Sequence, residues 1–248
     1  MKILKQSRMA LFLLLWLFAA SMAFGGSLEK GFQYYRQGEF EKAFIEMKAA
    51  AEAGNPRAQS VLALLYAKGE GVGQDDARAV EWNRKAAEQN WILAQYNLAL
   101  AYDLGRGVRQ DAAEAVKWYR KAAEQGHAGS QFNLGHCYSK GVGVRQDYRE
   151  AVKWYRKAAE QGNADAQNNL GLLYENGKGV KQDNAEALKW YRKAAEAGLP
   201  HAQYMMGLAY ANGEGVRSDR AEAIRWLEKA AAQGHAEAKE DLDVLKGS

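Results

Sequence analysis

The chain has 248 residues, with 34 basic against 30 acidic side chains for a net charge of +4, and one cysteine, Cys137. Lys and Arg alternate with Glu along the chain instead of gathering in one basic stripe, which excludes the charge pattern of a nucleic-acid binder. A single cysteine excludes an intrachain disulfide, so stability has to come from packed helices.

At the N-terminus Lys2, Lys5 and Arg8 precede an apolar run, residues 9–20 (MALFLLLWLFAA), which ends in the small-residue pattern Ser21-Met22-Ala23. This is the three-part layout of a signal peptide, and it predicts cleavage after Ala23. The run is well short of the ~20 residues that span a bilayer, which disfavours an uncleaved anchor. With no cysteine after it, lipoprotein processing is not available. The leader also carries the excess positive charge, so the mature chain is close to neutral. The expectation is an exported protein, periplasmic or secreted, with no membrane span after cleavage.

From Asp75 onward the chain repeats itself. DAAEAVKWYRKAAEQG (111–126) returns as DYREAVKWYRKAAEQG (147–162) and DNAEALKWYRKAAEAG (183–198), with looser copies at 75–90 and 219–234. Trp82, Trp118, Trp154, Trp190 and Trp226 mark a period of 36 residues. A repeat of that length predicts a solenoid, an all-α array of helix pairs. The expected organisation is a signal peptide (1–23), an atypical first helix pair (24–54), five 36-residue repeats (55–234) and a C-terminal capping helix (235–248). In the atypical pair Gly38 turns the chain between helices.

Each repeat opens with a helix A whose fixed positions, Gln59, Leu62, Ala63 and Tyr66 in the first copy, fall on one face. The small column Ala63, Ala99, Gly135, Gly171 and Gly207 predicts close approach of a neighbouring helix. Helix A stops at a glycine (Gly69, Gly105, Gly141, Gly177 or Gly213), and a second Gly and a Val follow, the Val folding back onto the core. Asp75, Asp111, Asp147, Asp183 and Asp219 then cap helix B. Four of them have a Glu three places on, a carboxylate capping box from which the first repeat departs with Arg78. Helix B is predicted to bury Ala115, Val116, Trp118, Tyr119 and Ala122 and their counterparts. Cys137 shares a column with Leu65, Ala101, Leu173 and Ala209, which makes it a small buried hydrophobe. After His235 a sixth helix A turns polar, with Lys239, Asp243 and Lys246 replacing Gln, the small residue and Tyr, as a terminal cap requires.

The stretch LGLLYENGKGVKQDNAEALKWYRKAAEAG (170–198) resembles the Sel-one-like repeat, a 36-residue relative of the tetratricopeptide repeat, and the match extends over five units. The resemblance implies an α/α right-handed superhelix whose concave surface is lined by helix A. It also implies an adaptor or scaffold role, in bacteria often periplasmic and tied to envelope assembly, signalling or host contact. One cysteine-rich branch of the family is linked to penicillin binding and β-lactamase activity. This chain lacks the paired cysteines of that branch.

No catalytic, cofactor-binding or metal-binding constellation is predicted. Ser27-Leu28-Glu29-Lys30 has the Ser-x-x-Lys spacing of penicillin-recognising enzymes without their companion motifs. The Gly-x-Gly loops lie between helices, not after strands, and are turns. The histidines have no partner at metal-ligand spacing. A comparison of the copies with one another is more informative, because some helix A columns vary beside fixed ones. One column holds Ser60, Tyr96, Phe132, Asn168 and Tyr204; a second holds Leu64, Leu100, His136, Leu172 and Leu208; a third holds Ala67, Asp103, Ser139, Glu175 and Ala211. Their i, i+4, i+7 spacing makes a stripe, either facing a groove or, for its aromatic members, packed between repeats. The groove reading makes Tyr96, Leu100, Asp103, Phe132, His136, Asn168, Glu175, Tyr204 and Leu208 partner-binding residues for a protein or peptide. The alternatives are a β-lactam or cell-wall hydrolase and a muropeptide-binding protein. The sequence leaves the oligomeric state open.

Overall fold

In the computed structural model, which describes residues 26–247, the chain is an all-α solenoid with thirteen helices and no strand among the described residues. It divides into two units between Asp111 and Ala112. The first contains α1 (26–36), α2 (Phe40–Glu52), α3 (Pro56–Lys68), α4 (Asp76–Glu88) and α5 (Ile92–Leu104). The second contains α6 (Ala112–Glu124), α7 (Ala128–Lys140), α8 (Tyr148–Glu160), α9 (Ala164–Glu175), α10 (Asn184–Glu196), α11 (Pro200–Asn212), α12 (Arg220–Ala232) and α13 (Ala236–Gly247). The leader expected at 1–23 lies outside the described residues. Among the described helices none is long and apolar enough to cross a membrane.

Local chemistry sets the helix ends. Asp75 accepts the Arg78 N–H at 2.9 Å, Asp147 those of Arg149 and Glu150 at 2.8 and 3.2 Å, Asp183 that of Glu186 at 2.9 Å, and Asp219 those of Ala221 and Glu222 at 2.9 and 3.1 Å. Each such cap stabilises its helix by about 1 kcal/mol. The reciprocal half of the expected capping box does not form, because the N–H of each capping Asp already donates to a Tyr carbonyl in helix A, as in Asp147 to Tyr138 at 2.9 Å. In two repeats the Glu reaches instead to the Trp one turn later, whereas the Trp118 indole N–H is buried without a hydrogen-bond partner among the described residues. Glu150 accepts the Trp154 indole N–H at 3.0 Å and Glu186 that of Trp190 at 3.1 Å, while both pair with a lysine at i+3.

The first loop glycine is a left-handed C-cap, as at Gly141 with φ 73°. The second has a role that conformation alone does not reveal. A Cβ on Gly71, Gly107, Gly143 or Gly179 would lie inside van der Waals contact of the backbone of Phe40, Asp76, Ala112 or Tyr148. Each of those is the first residue of the preceding repeat's helix B. These glycines are therefore where loop backbone touches helix backbone between repeats. The following Val72, Val180 and Val216 pack onto the apolar clusters.

At the small column of helix A the neighbouring helix B comes close, and a side chain of that helix occupies the space. A Cβ on Gly135 would stand 2.7 Å from the Tyr155 ring, one on Gly171 2.7 Å from Tyr191, and one on Gly207 2.7 Å from Leu227. A bulky residue of helix B thus seats itself on helix A within the repeat. Trp118, Trp154, Trp190 and Trp226 are buried, whereas Trp82, in the repeat with Arg78, is half-buried.

Two polar ladders join the repeats. The buried Gln59, Gln95, Gln131, Gln167 and Gln203 donate from Nε2 to the carbonyls of Ala51, Ala87, Ala123, Ala159 and Ala195, each in the preceding helix B, at 3.0–3.2 Å. In three repeats the Oε1 of this Gln accepts from the Gln that ends helix B of its own repeat: Gln89 to Gln59 at 2.9 Å, Gln161 to Gln131 at 2.6 Å and Gln233 to Gln203 at 2.8 Å. In the fourth repeat that partner position is Ala197, and Gln167 Oε1 is buried without a hydrogen bond. The second ladder links an Arg of helix B to the Tyr hydroxyl of the next helix A: Arg84 to Tyr102 at 2.6 Å, Arg120 to Tyr138 at 2.6 Å, Arg156 to Tyr174, and Arg192 to Tyr210 at 3.0 Å. At the C-terminal end both members are exchanged, and Lys246 on α13 pairs with Glu228 on α12 at 2.7 Å. The cap keeps the link while presenting a charged outer face.

Candidate functional site

Shallow depressions recur at one place in the helix-pair framework, between helix A of one repeat and helix A of the next, with helix B as the floor. One lies between α3 and α5 over α4, enclosing about 380 Å³; its lining includes Ala63, Leu64, Ala67, Ala79, Val80, Asn83, Leu100 and Leu104. A second, about 540 Å³, lies between α7 and α9 over α8 and is lined by His136, Ser139, Lys140, Tyr148, Tyr155, Asn169, Leu172 and Lys178. A third, about 200 Å³, lies between α9 and α11 over α10, with Glu175, Tyr191, Met205, Leu208 and Glu214.

The framework is shared, but the chemistry of the three differs. The depression over α4 has apolar walls with Gln74, Asn97 and one charge of each sign, Asp76 and Arg106, among its lining. The one over α8 carries the cations Lys140 and Lys178, with the Lys178 ammonium 5.6 Å from the centre of the Tyr148 ring. The one over α10 carries the carboxylates Glu175 and Glu214. Floor tyrosines set the rims: the Tyr155 hydroxyl is 3.3 Å from Ser139 Oγ, and the Tyr191 hydroxyl donates to Glu175 at 2.9 Å. Burial is the main cause that raises both phenol pKa values, and for Tyr191 the Glu175 charge adds to it, so both hydroxyls stay protonated.

The residues singled out in the sequence divide by column. Leu100, His136, Glu175 and Leu208 line the depressions, as do Leu64, Ala67, Ser139 and Leu172. The aromatic column is engaged elsewhere. Phe132 packs against Tyr155, with ring centroids 5.8 Å apart, and Asn168 accepts from His201 Nδ1 at 2.9 Å across the α9–α11 junction. Tyr204 stacks on His235 at 4.6 Å and donates to Asp241 at 3.1 Å, anchoring the terminal helix. Tyr96 and Asp103 on α5 are half-buried and line none of the three depressions. Sequence comparison missed the column Asn97, Asn169 and Met205, which also lines them. Its signal was present, since it varies from Val61 to Met205, but it adjoins the conserved-looking core face.

Among the described residues no group of three His, Cys, Asp or Glu could hold a metal ion. His127 is a helix cap: its Nδ1 accepts the Ser130 N–H at 3.1 Å, and partial burial holds its pKa below the ordinary value. Burial, and then the charge of His235, lower that of His201 as well. Cys137 is buried, and Ser27 and Lys30 stand one turn apart on α1 with Lys30 exposed.

A solved Sel1 repeat protein from Oxalobacter formigenes is 38% identical with a TM-score of 0.78, over 87% of this chain and 86% of its own. The structure of a protective antigen present in uropathogenic Escherichia coli strains, described as displaying an SLR fold, is 40% identical with a TM-score of 0.86 over 92% of this chain. This chain spans 50% of that antigen's length. Among curated proteins none matches. The Sel1 repeat family itself matches five consecutive stretches, residues 56–91, 92–127, 128–163, 164–199 and 200–235, each one helix A and one helix B. On that match, with the fold that accompanies it, the chain belongs to the Sel1 repeat family.

Proposed function

We propose that the chain is an exported, non-enzymatic scaffold that binds a protein or peptide partner through the depressions beside helix A. The observation that carries this reading is the contrast within each repeat. The Asp caps of helix B, its Lys-Ala-Ala core and the Arg–Tyr ladder recur from copy to copy, while the charge lining the depressions changes from one of each sign (Asp76, Arg106) to cationic (Lys140, Lys178) to anionic (Glu175, Glu214). A purely architectural surface has no reason to vary where its frame does not. Shallow sites in tandem suit a segment that inserts one side chain per repeat, with apolar anchors such as Leu172 and Leu208 supplying affinity and rim charges supplying selection.

Site-specific photo-crosslinking tests this. A benzoylphenylalanine placed at position 172, in the depression over α8, should label bound peptides from a random library. The same group at Lys121, on the helix B face against Trp118, should label none. Equal labelling from both positions, or labelling from 121 alone, contradicts the assignment.

A further inference from the structure

The depression over α4 differs from its counterparts in its floor. Where Tyr155 and Tyr191 stand in the repeats that contain them, the first repeat has Asn83. Asn83 is 8% exposed, and its Oδ1 is buried with no hydrogen-bond partner among the described residues. Around it stand Ala63, Leu64, Ala67, Val80 and Leu100, with Gln74, Asp76, Asn97 and Arg106 also in the lining. A buried, unsatisfied carbonyl beneath the recess is unfavourable in the unoccupied protein, and a ligand that brings one donor to it relieves that cost. In the equivalent places a phenol fills the floor, over Gly135 or Gly171, and directs its hydroxyl to a rim residue. The first repeat lacks that ring and leaves an acceptor in its stead.

Resting on the peptide-binding reading above, we propose that this depression is the anchor site for a partner's aromatic side chain that carries one hydrogen-bond donor, a phenol or an indole. The ring lies against the alanines and leucines, and a small rotation of the buried Asn83 amide brings Oδ1 to its O–H or N–H. Phenylalanine and leucine fit the apolar walls and leave the carbonyl unpaired. The site therefore discriminates by the donor more than by size.

The test is an NMR titration of the full chain with the N-acetyl amides of tyrosine, tryptophan, phenylalanine and leucine. Saturable shifts at Asn83, Ala63 and Leu100 are expected with the tyrosine or tryptophan amide, and affinity about tenfold lower with phenylalanine, the loss of one hydrogen bond to a buried acceptor. Asn83→Leu, which puts there the residue found at the matching position 227, should erase the tyrosine-over-phenylalanine preference and keep the fold. Asn83→Tyr should fill the site and abolish binding. Equal affinity for tyrosine, tryptophan and phenylalanine, or a preference unchanged in Asn83→Leu, overturns the inference while leaving peptide binding elsewhere intact. Absence of any saturable shift in this depression also overturns it, and crosslinking at position 172 then shows separately whether the broader reading stands.

Discussion

Ala197→Gln should stabilise the protein. The fourth repeat carries the one orphaned acceptor in the Gln ladder, Gln167 Oε1. In the other repeats where the contact is seen, the partner is the Gln that follows helix B, at 2.6–2.9 Å. The backbone is ready for it: Ala197 has φ −73° and ψ −3°, near the −85° and 5° of Gln161. Relieving a buried unsatisfied carbonyl is worth about 1–3 kcal/mol. Ordering an added Gln side chain offsets up to about 1.5–2 kcal/mol of that, less here because position 197 is exposed. A net gain of about 1 kcal/mol follows, or about 2–4 °C in Tm for a chain of this size. Because repeat arrays need not unfold in one step, amide exchange in α9 and α10 should be measured beside calorimetry. Gln161→Ala supplies the converse, orphaning Gln131 and destabilising by about 1–2 kcal/mol. If Ala197→Gln is neutral or harmful and Gln161→Ala is harmless, the ladder contributes nothing and the reasoning fails.

Other substitutions separate neighbouring causes. Gly143→Ala and Gly126→Ala both place a Cβ at positive φ, 66° and 95°, but only the first drives it into backbone, at Ala112. Chemical denaturation should show about 1–2 kcal/mol lost at Gly126 and well over 3 kcal/mol at Gly143. Trp154→Ala should cost about 3–5 kcal/mol, and Glu150→Ala, which removes the indole's acceptor and an exposed pair with Lys153, about 1 kcal/mol. The lowered pKa values of His127 and His201 mean that the unfolded chain binds more protons near the ordinary histidine value. Their contribution to stability is therefore complete above pH ~6.5 and declines as pH falls below it. His127→Asn, with the capping residue that stands at Asn55 and Asn163, should flatten that dependence in Tm measured from pH 7.5 to 5.

Much of the architecture was legible because the chain prints its own alignment five times. The Asp caps, the glycine stops, the buried Gln and Trp columns and the polar last helix follow from periodicity and side-chain chemistry. What escaped is contact between repeats, which a period cannot encode. The capping box looked complete until the Tyr138 carbonyl claimed the Asp147 N–H and sent Glu150 to Trp154. Gly143 read as a turn residue, yet its lack of a Cβ serves the preceding helix. In the candidate site, helical spacing grouped Phe132 and Tyr204 with His136 and Leu208, although a rotation of 40° around a helix separates a rim from an interface between helices. Asn83 carried no sequence signal beyond its departure from Tyr, and its meaning depends on burial.

The central claim is that helix A carries most of the recognition residues and helix B, apart from the floor position of Asn83, carries the frame. The most direct test is a calorimetric isotherm, with a library-selected peptide, of Leu172→Asp/Leu208→Asp against the helix B control Lys121→Glu/Lys193→Glu. The account predicts a loss of about tenfold or more in affinity for the first and no change beyond about twofold for the second. The reverse order of effects, with both proteins folded, would contradict it.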